Sequence, residues 1–323
     1  MALSRIMGGI DPLVRLLLVA ILLASFLPVT GEARAIARLI SDAAIFLLFL
    51  LNGLRLPHAD VRAGIANGRF LLPLVTWCFL GMGAVGWALS QLTDNYLPAQ
   101  VALGLLFLGI LPSTVQSATA YSSLAGGNVA ASVVAAAVLN VLGVFITAPL
   151  LALLAGTEAV GIDMDGLQRI ALILLLPFVI GQLAQGWVGD YVRERRILFS
   201  WMDRTAIAIA VYVAFSGAVE QGLWSRVDLP AWTILLAAVA LFLLIGFGGS
   251  WLLGSVLGLR RGDHIAFLFA GAQKSIALGA PLATVLFPPE VAGLLLLPVL
   301  VYHLLQLVIS APLANRLNRP AED

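Results

Sequence analysis

What this chain has least of is charge. Aspartate, glutamate, arginine and lysine make up 11% of its 323 residues, while 61% are hydrophobic. A soluble domain carries roughly a quarter charged residues. This chain therefore cannot coat a water-exposed surface of its size, and a soluble enzyme is excluded. A net charge of +1 gives no basic footprint for nucleic acid. A single cysteine, Cys78, excludes an intrachain disulfide and a cysteine-based zinc site. No His-Glu-x-x-His motif occurs, and the acidic pair Asp163 and Asp165 falls in an expected outside loop. The paired carboxylates or His/Glu ligands that an intramembrane enzyme needs at membrane depth are thus missing. Ser275 beside Lys274 does not supply a Ser/Lys dyad, because neighbours on a helix point about 100° apart. No catalytic residue, certain metal site or organic cofactor is expected.

What is present is a series of long apolar runs in a chain of mean hydropathy +1.03. A spanning helix needs ~20 apolar residues, since only the helix itself satisfies backbone polar groups in hydrocarbon. Ten segments fit. They run about Leu13 to Val29, Ile36 to Leu54, Phe70 to Leu89, Gln100 to Ala125 and Val129 to Leu154. The second five run about Leu167 to Gly189, Ala206 to Glu220, Pro230 to Leu257, His264 to Phe287 and Val291 to Leu313. The partner this implies is the lipid bilayer.

Arginine tests that count. With the N-terminus cytoplasmic, twelve arginines fall inside: Arg5, Arg55, Arg62, Arg69, Arg193, Arg195, Arg196, Arg204, Arg260, Arg261, Arg316 and Arg319. Four fall outside, Arg34, Arg38, Arg169 and Arg226, beside Glu158, Asp163 and Asp165. This is the positive-inside pattern of ten helices with both termini cytoplasmic, as in a bacterial-type inner membrane. Arg5 before an apolar run is also how a signal peptide begins. Asp11 and Arg15 sit badly for one, however, and its removal spoils the even count. Trp87, Trp187, Trp201, Trp224 and Trp232 lie near segment ends, as interfacial anchors do.

The split between halves, Gly156 to Gly166, falls outside, so two five-helix halves enter the membrane from opposite sides. That is the layout of an inverted repeat. Leu106-Phe107-Leu108-Gly109 leading to Gln116-Ser117 echoes Leu268-Phe269-Ala270-Gly271 leading to Gln273-Lys274-Ser275. Both segments also carry helix-interrupting material. In the fourth, Pro112 is followed by Ser113, Thr114, Gln116, Ser117 and Thr119. In the ninth, Gly271 precedes Gln273, Lys274 and Ser275, and Gly279 and Pro281 follow. Exposed backbone at membrane depth costs several kcal/mol per group unless it lines a cavity or binds something. Matched broken helices are accordingly the best sequence pointer to a transporter binding site. The plainer alternative is that the hydroxyls bond back to their own helices and the prolines only kink them.

Lys274 is the only lysine, and the other seventeen basic residues are arginine. Ten residues beyond His264, it lies ~15 Å deep, where an ionisable residue marks function by default. The alternative is a fixed structural cation capping carbonyls of the broken helix. His303 and Gln306, three apart, share a face of the tenth helix and join the candidate set. Asp42 and Asn52, Asn128 and Asn140 are polar marks near or within helices, where most such groups are packing glue.

Pro112-Ser113-Thr114-Val115-Gln116-Ser117, followed by Gly127-Asn128-Val129-Ala130, resembles the fourth and fifth helices of the bile acid:sodium symporter superfamily. It looks most like the SBF-like branch. Gln273-Lys274-Ser275 with Leu278-Gly279, and Tyr302-His303-Leu304-Leu305-Gln306, fit the same branch. The resemblance covers nearly the whole chain. It implies an all-α membrane fold of ten helices in two inverted repeats, with the broken fourth and ninth helices crossing in a core. Panel helices one and two would occupy residues 1–56, and six and seven residues 161–222. Core helices three to five would occupy 57–160, and eight to ten 223–323.

Carry-over of the sodium sites is partial. Ser117, Ser132 and Gln273 match ligands of the bile-acid carriers. Ala118, Ala136 and Phe269 stand where an asparagine, a hydroxyl and a glutamate would be. In low dielectric a nearby carboxylate helps to hold sodium, and two unit charges 4 Å apart interact by ~4 kcal/mol even at an effective dielectric of 20. Loss of the glutamate together with a lysine reverses the local sign, so any sodium site here is weak. Two mechanisms follow: Lys274 is a permanent stand-in for the cation, or its burial lets it release a proton during the cycle. Either suits an organic anion near helix N-termini. The expected function is a secondary carrier with Ser113, Thr114, Gln116, Ser117, Thr119, Asn128, Ser132, Gln273, Lys274, Ser275, His303 and Gln306 as substrate- or ion-binding candidates. A channel or a non-transporting regulatory protein is the rival class.

Overall fold

Backbone polar groups in hydrocarbon must find their partners within the chain, and here helices provide them. The computed structural model describes residues 11–55, 68–155, 168–169 and 171–318, and among them regular structure is helical throughout. The helices are α1 (Pro12–Phe26), α2 (Ala33–Arg55), α3 (Gly68–Thr93), α4a (Ala99–Ile110), α4b (Gln116–Leu124) and α5 (Val129–Ala155). They continue as α6 (Ala171–Glu194), α7 (Arg196–Glu220), α8 (Leu229–Val256), α9a (Arg261–Ala272), α9b (Ile276–Leu286) and α10 (Pro289–Leu317). Arg5, Arg62 and Arg319, and the Gly156 to Gly166 split with its acidic residues, lie outside the described residues.

Local chemistry sets several starts. Asp11 accepts from the Leu13 N–H at 2.7 Å ahead of Pro12, and Asp228 accepts from the Ala231 N–H at 2.9 Å with Pro230 in the first turn. Each pairs a capping carboxylate with a proline whose missing N–H goes unneeded there.

Eight described helices are long and apolar enough to cross a membrane, counting α9 as one over Arg261–Leu286, where the sequence reading expects ten. The remaining two expected spans are α1, with 15 residues, and α4, which is interrupted after the 12 residues of α4a. The seventh helix differs too. It begins at Arg196 rather than near Ala206, and only Arg195 separates it from α6. Arg196, Asp203 and Arg204 lower hydropathy without stopping a helix, so an apolar window starts late.

An offset of 162 residues carries Ala99 onto Arg261 and Ile110 onto Ala272, the two ends of α4a and α9a. Offsets of 160 to 163 likewise carry the ends of α3 onto those of α8, and the ends of α5 onto those of α10.

The described residues form two compact units. The first comprises those within 1–55, 163–225 and 280–294. Within it α2 packs on α6 and α7, and α7 packs on α1. Gly53 and Gly181 meet where α2 crosses α6: a Cβ on either would come within 2.3 Å of a carbonyl oxygen of the other helix. Ion pairs tie the same unit together. Arg169 reaches both carboxylate oxygens of Asp42 at 2.8 and 2.7 Å, Arg34 pairs with Glu220 and Glu290, and Arg55 pairs with Asp203.

The second unit comprises 56–162, 226–279 and 295–323. Its core joins Phe70, Leu74, Cys78 and Phe79 of α3, Ala135 and Leu139 of α5, and Ala266, Phe267 and Ala270 of α9a. The best spanning window of α9 is 94% buried against 22% for α6, so α9 is an enclosed helix and α6 a peripheral one.

Candidate transport site

The interruption of the fourth helix begins with Pro112, which disfavours helical backbone in the residue before it. Leu111 accordingly turns to φ −70°, ψ 147°. Six carbonyls released by the break find donors. Leu108 O accepts from the Leu111 N–H at 3.3 Å, Ile110 O from the Thr147 hydroxyl at 3.1 Å, and Pro112 O from the Ser275 N–H at 2.9 Å. Ser113 O accepts from Asn140 Nδ2 at 2.9 Å. Gly109 O and Leu111 O accept from Lys274 Nζ at 2.7 and 2.8 Å. The chain re-enters helix at α4b, where Thr114 Oγ1 accepts from the Ala118 N–H at 3.1 Å.

The ninth helix breaks over Gln273, Lys274 and Ser275. Gln273 adopts φ −80°, ψ 146°, close to the geometry of Leu111, its equivalent under the 162-residue offset. Gln306 bridges the gap: its Oε1 accepts from the Lys274 N–H at 2.8 Å and its Nε2 donates to Lys274 O at 3.0 Å. Tyr302 donates to Ala272 O at 2.6 Å, and Ser275 Oγ receives the Leu278 N–H at 3.3 Å as α9b starts. The Ser275–Pro112 bond joins the two breaks directly.

Lys274 is 1% exposed, and among the described residues it is the only charged side chain that is buried. Its Nζ donates to Cys78 O, Gly109 O and Leu111 O at 2.8, 2.7 and 2.8 Å, with Cys78 Sγ at 3.7 Å. The Cys78 carbonyl is available because α3 widens into a π-helical turn over Trp77–Gly81, which interrupts the usual ladder. Trp77 on that turn donates to Ser250 Oγ at 2.9 Å. Gly271 lies against both, and a Cβ there would sit 2.6 Å from Ser250 Oγ and 3.0 Å from the Trp77 ring.

Beside the lysine, Thr114 Oγ1, Ser117 Oγ and Gln273 Oε1 form a triangle with each edge 2.6 Å. Gln273 Nε2 donates to Ser310 Oγ at 3.0 Å, which leaves Oε1 facing the two hydroxyls. His303 Nδ1 lies 2.9 Å from Gln306 Nε2. With Gln306 Oε1 taken by an N–H, that nitrogen must accept, so His303 is neutral with its proton on Nε2.

The structure thus brings Thr114, Ser117, Gln273, Lys274, Ser275, His303 and Gln306 into one connected set, while the Ser113 carbonyl bonds to Asn140 on α5. Asn128 and Ser132 bond elsewhere. Asn128 Oδ1 accepts from the Ala131 N–H at 3.0 Å, its Nδ2 donates to Asp263 at 2.7 Å, and Ser132 Oγ meets Thr119 Oγ1 at 3.5 Å. Of the expected helix breakers, Pro112 lies in a break and Gly271 in the last turn before one, while Gly279 and Pro281 lie inside α9b.

Exposure divides the set. Gln273, Lys274, Gln306 and His303 are buried, whereas Val115 and Gln116 are exposed and Ser117 and Thr119 partly so.

Sequence reasoning missed Cys78, Asn140, Thr147 and Ser310 as parts of the site. Ser310 was findable, since His303, Gln306 and Ser310 follow the helical spacing of one face. Cys78 acts through its carbonyl, which no side-chain pattern announces.

The sequence pattern of the SBF-like CPA transporter family matches residues 11–319. The chain is 37% identical over 308 residues to the uncharacterized protein PA2026 of Pseudomonas aeruginosa, covering 95% of this chain and 92% of that one. It is 35% identical over 313 residues to YfeH of Escherichia coli, a protein named for symport, covering 97% and 94%. It is 23% identical over 283 residues to sodium/bile acid cotransporter 7 of Mus musculus, covering 85% and 82%.

Proposed function

Because the chain belongs to the SBF-like CPA transporter family, and so is an integral membrane transporter and not an enzyme, we propose that it is a secondary carrier of a small organic anion working by alternating access. The observation that carries the anion is Lys274, a buried positive charge with no buried carboxylate to neutralise it among the described residues. Its charge and the N-terminus of α4b, the positive end of a helix dipole, both favour a negative group near Gln116, Ser117 and Thr119. Thr114 and Gln273 hold Ser117 in place behind that face. The near-constant offset between α3 to α5 and α8 to α10 supports two repeats of one five-helix plan. A division into two compact units, one holding helices one, two, six and seven together with residues 280–294 of the ninth and tenth, supports the two bodies that an alternating cycle needs. The arginine distribution supports an inner-membrane orientation with both termini cytoplasmic.

Of the two mechanisms open at Lys274, the geometry favours the fixed cation. Three carbonyls around Nζ call for three protons, which an ammonium has and an amine lacks. The Thr114–Ser117–Gln273 triangle holds no carboxylate, which argues against tight sodium. The carrier then works as a uniporter or exchanger, without a sodium requirement.

Uptake into proteoliposomes of a panel of radiolabelled carboxylates and sulfonates tests this. At least one anion is expected to enter saturably, equally in sodium and in choline. Ser117→Ala combined with Gln116→Ala should raise its apparent KM about tenfold, the effect of a lost 1.4 kcal/mol, with expression unchanged. Saturable uptake confined to cations or neutral solutes would sink the anion reading, and non-saturating current would make the protein a channel.

A further inference from the structure

We propose that Cys78 O, Gly109 O and Leu111 O form a cation-binding cage, loaded in this protein by the tethered ammonium of Lys274, that takes a free ammonium or methylammonium ion when the tether is removed. The distances of 2.7–2.8 Å are those of charge-assisted N–H···O bonds, one for each ammonium proton. Nothing about the three acceptors requires lysine. Gly109 and Leu111 present carbonyls because Pro112 ended the helix that would have used them, and Cys78 presents one because of the π-helical turn. The cage is thus made by backbone from two helices, and the side chain that fills it comes from a third. Buried carbonyls with no donor are costly, so an emptied cage favours any small ion that can donate to all three. Choline, whose nitrogen carries no proton, cannot.

The inference rests on the reading of Lys274 as a fixed positive charge, and its tests do not involve transport, so uptake decides the carrier and these decide the cage. Lys274→Ala is purified in detergent and its thermal unfolding followed in ammonium, methylammonium or choline chloride at equal ionic strength. A ligand that binds the folded state raises Tm by mass action. Ammonium and methylammonium are expected to raise the Tm of the variant saturably, by about 2–4 °C or more, with no rise in choline and none in the wild type. Absence of an ammonium-specific rise, or an equal rise in the wild type, overturns the proposal. Where Lys274→Ala gives no folded protein, the wild type answers. Lys274 is the only lysine, so protein labelled with 15N at lysine Nζ gives one side-chain signal. An ammonium in slow exchange with water and coupled to three carbonyl carbons is expected, and a neutral amine or a freely exchanging ammonium overturns the cage.

Discussion

Gln306 replaces, with one side-chain amide, the backbone partners that Lys274 loses where the ninth helix opens. Both hydrogen bonds are buried, since Gln306 is 0% exposed. Gln306→Leu leaves the Lys274 N–H and C=O without partners, at about 1–3 kcal/mol each. Thermal unfolding in detergent should show a loss of about 2–6 kcal/mol, against about 1 kcal/mol for Ser310→Ala, which takes a single acceptor from Gln273. Equal losses would mean that the amide does not hold the break. At this scale the sequence was legible where a residue is unusual in its setting: a lone lysine at membrane depth, or a histidine and glutamine on one helix face. It was silent on partners, because Lys274 donates to backbone carbonyls, and any residue type supplies those. The same silence explains Asn140 and Thr147, which look like packing residues and in fact complete the carbonyls of Ser113 and Ile110.

The breaks themselves were legible as elements. Pro112 and the hydroxyl run marked the fourth helix, and glycine with Gln273, Lys274 and Ser275 marked the ninth. Their extent was not, since Gly279 and Pro281 have the composition of a break yet sit inside α9b. Pro281 stands at the middle of α9b, where its missing N–H forfeits one backbone hydrogen bond, and the Thr284 hydroxyl donates to Pro281 O at 3.0 Å and Ala280 O at 3.2 Å nearby. Gly271 has a different reason for being small, the close approach of α8 and α3 to α9a. Gly271→Ala should destabilise by about 1–3 kcal/mol through overpacking. Ser250→Ala removes the nearer of the two obstructing groups, so the double variant should recover part of that loss, with a coupling of at least about 0.5 kcal/mol in a thermal-unfolding cycle. Strict additivity would show that Ser250 is not what Gly271 makes room for.

At the scale of the whole molecule, charge composition and apolar run length carried the class and the relatives carried the family. Hydropathy counts residues and not turns, so it read α1 and the interrupted α4 as equals of the uninterrupted spans and began α7 ten residues late. Among the described residues no carboxylate is buried, which leads to a test on the intact protein. Replacing sodium by choline should leave the Tm unchanged to within about 1 °C, since a cation bound only by the folded state would raise it. A saturable rise in sodium alone would mean that a sodium site persists without an acidic ligand.

The lysine that closes the fourth helix also imposes an order on biogenesis. A chain is made from its N-terminus, and the carbonyls at 78, 109 and 111 precede their donor by 196, 165 and 163 residues. Pro112, too, waits for the N–H of Ser275. During synthesis the first five helices reach the bilayer with an interruption that nothing in their own half of the protein can complete. Three of their carbonyls wait for their native donor until the ninth helix arrives. The fourth helix is then completed when the ninth arrives with its charge, and the ninth in turn when the tenth brings Gln306 to its break, so the protein is finished from its C-terminal end.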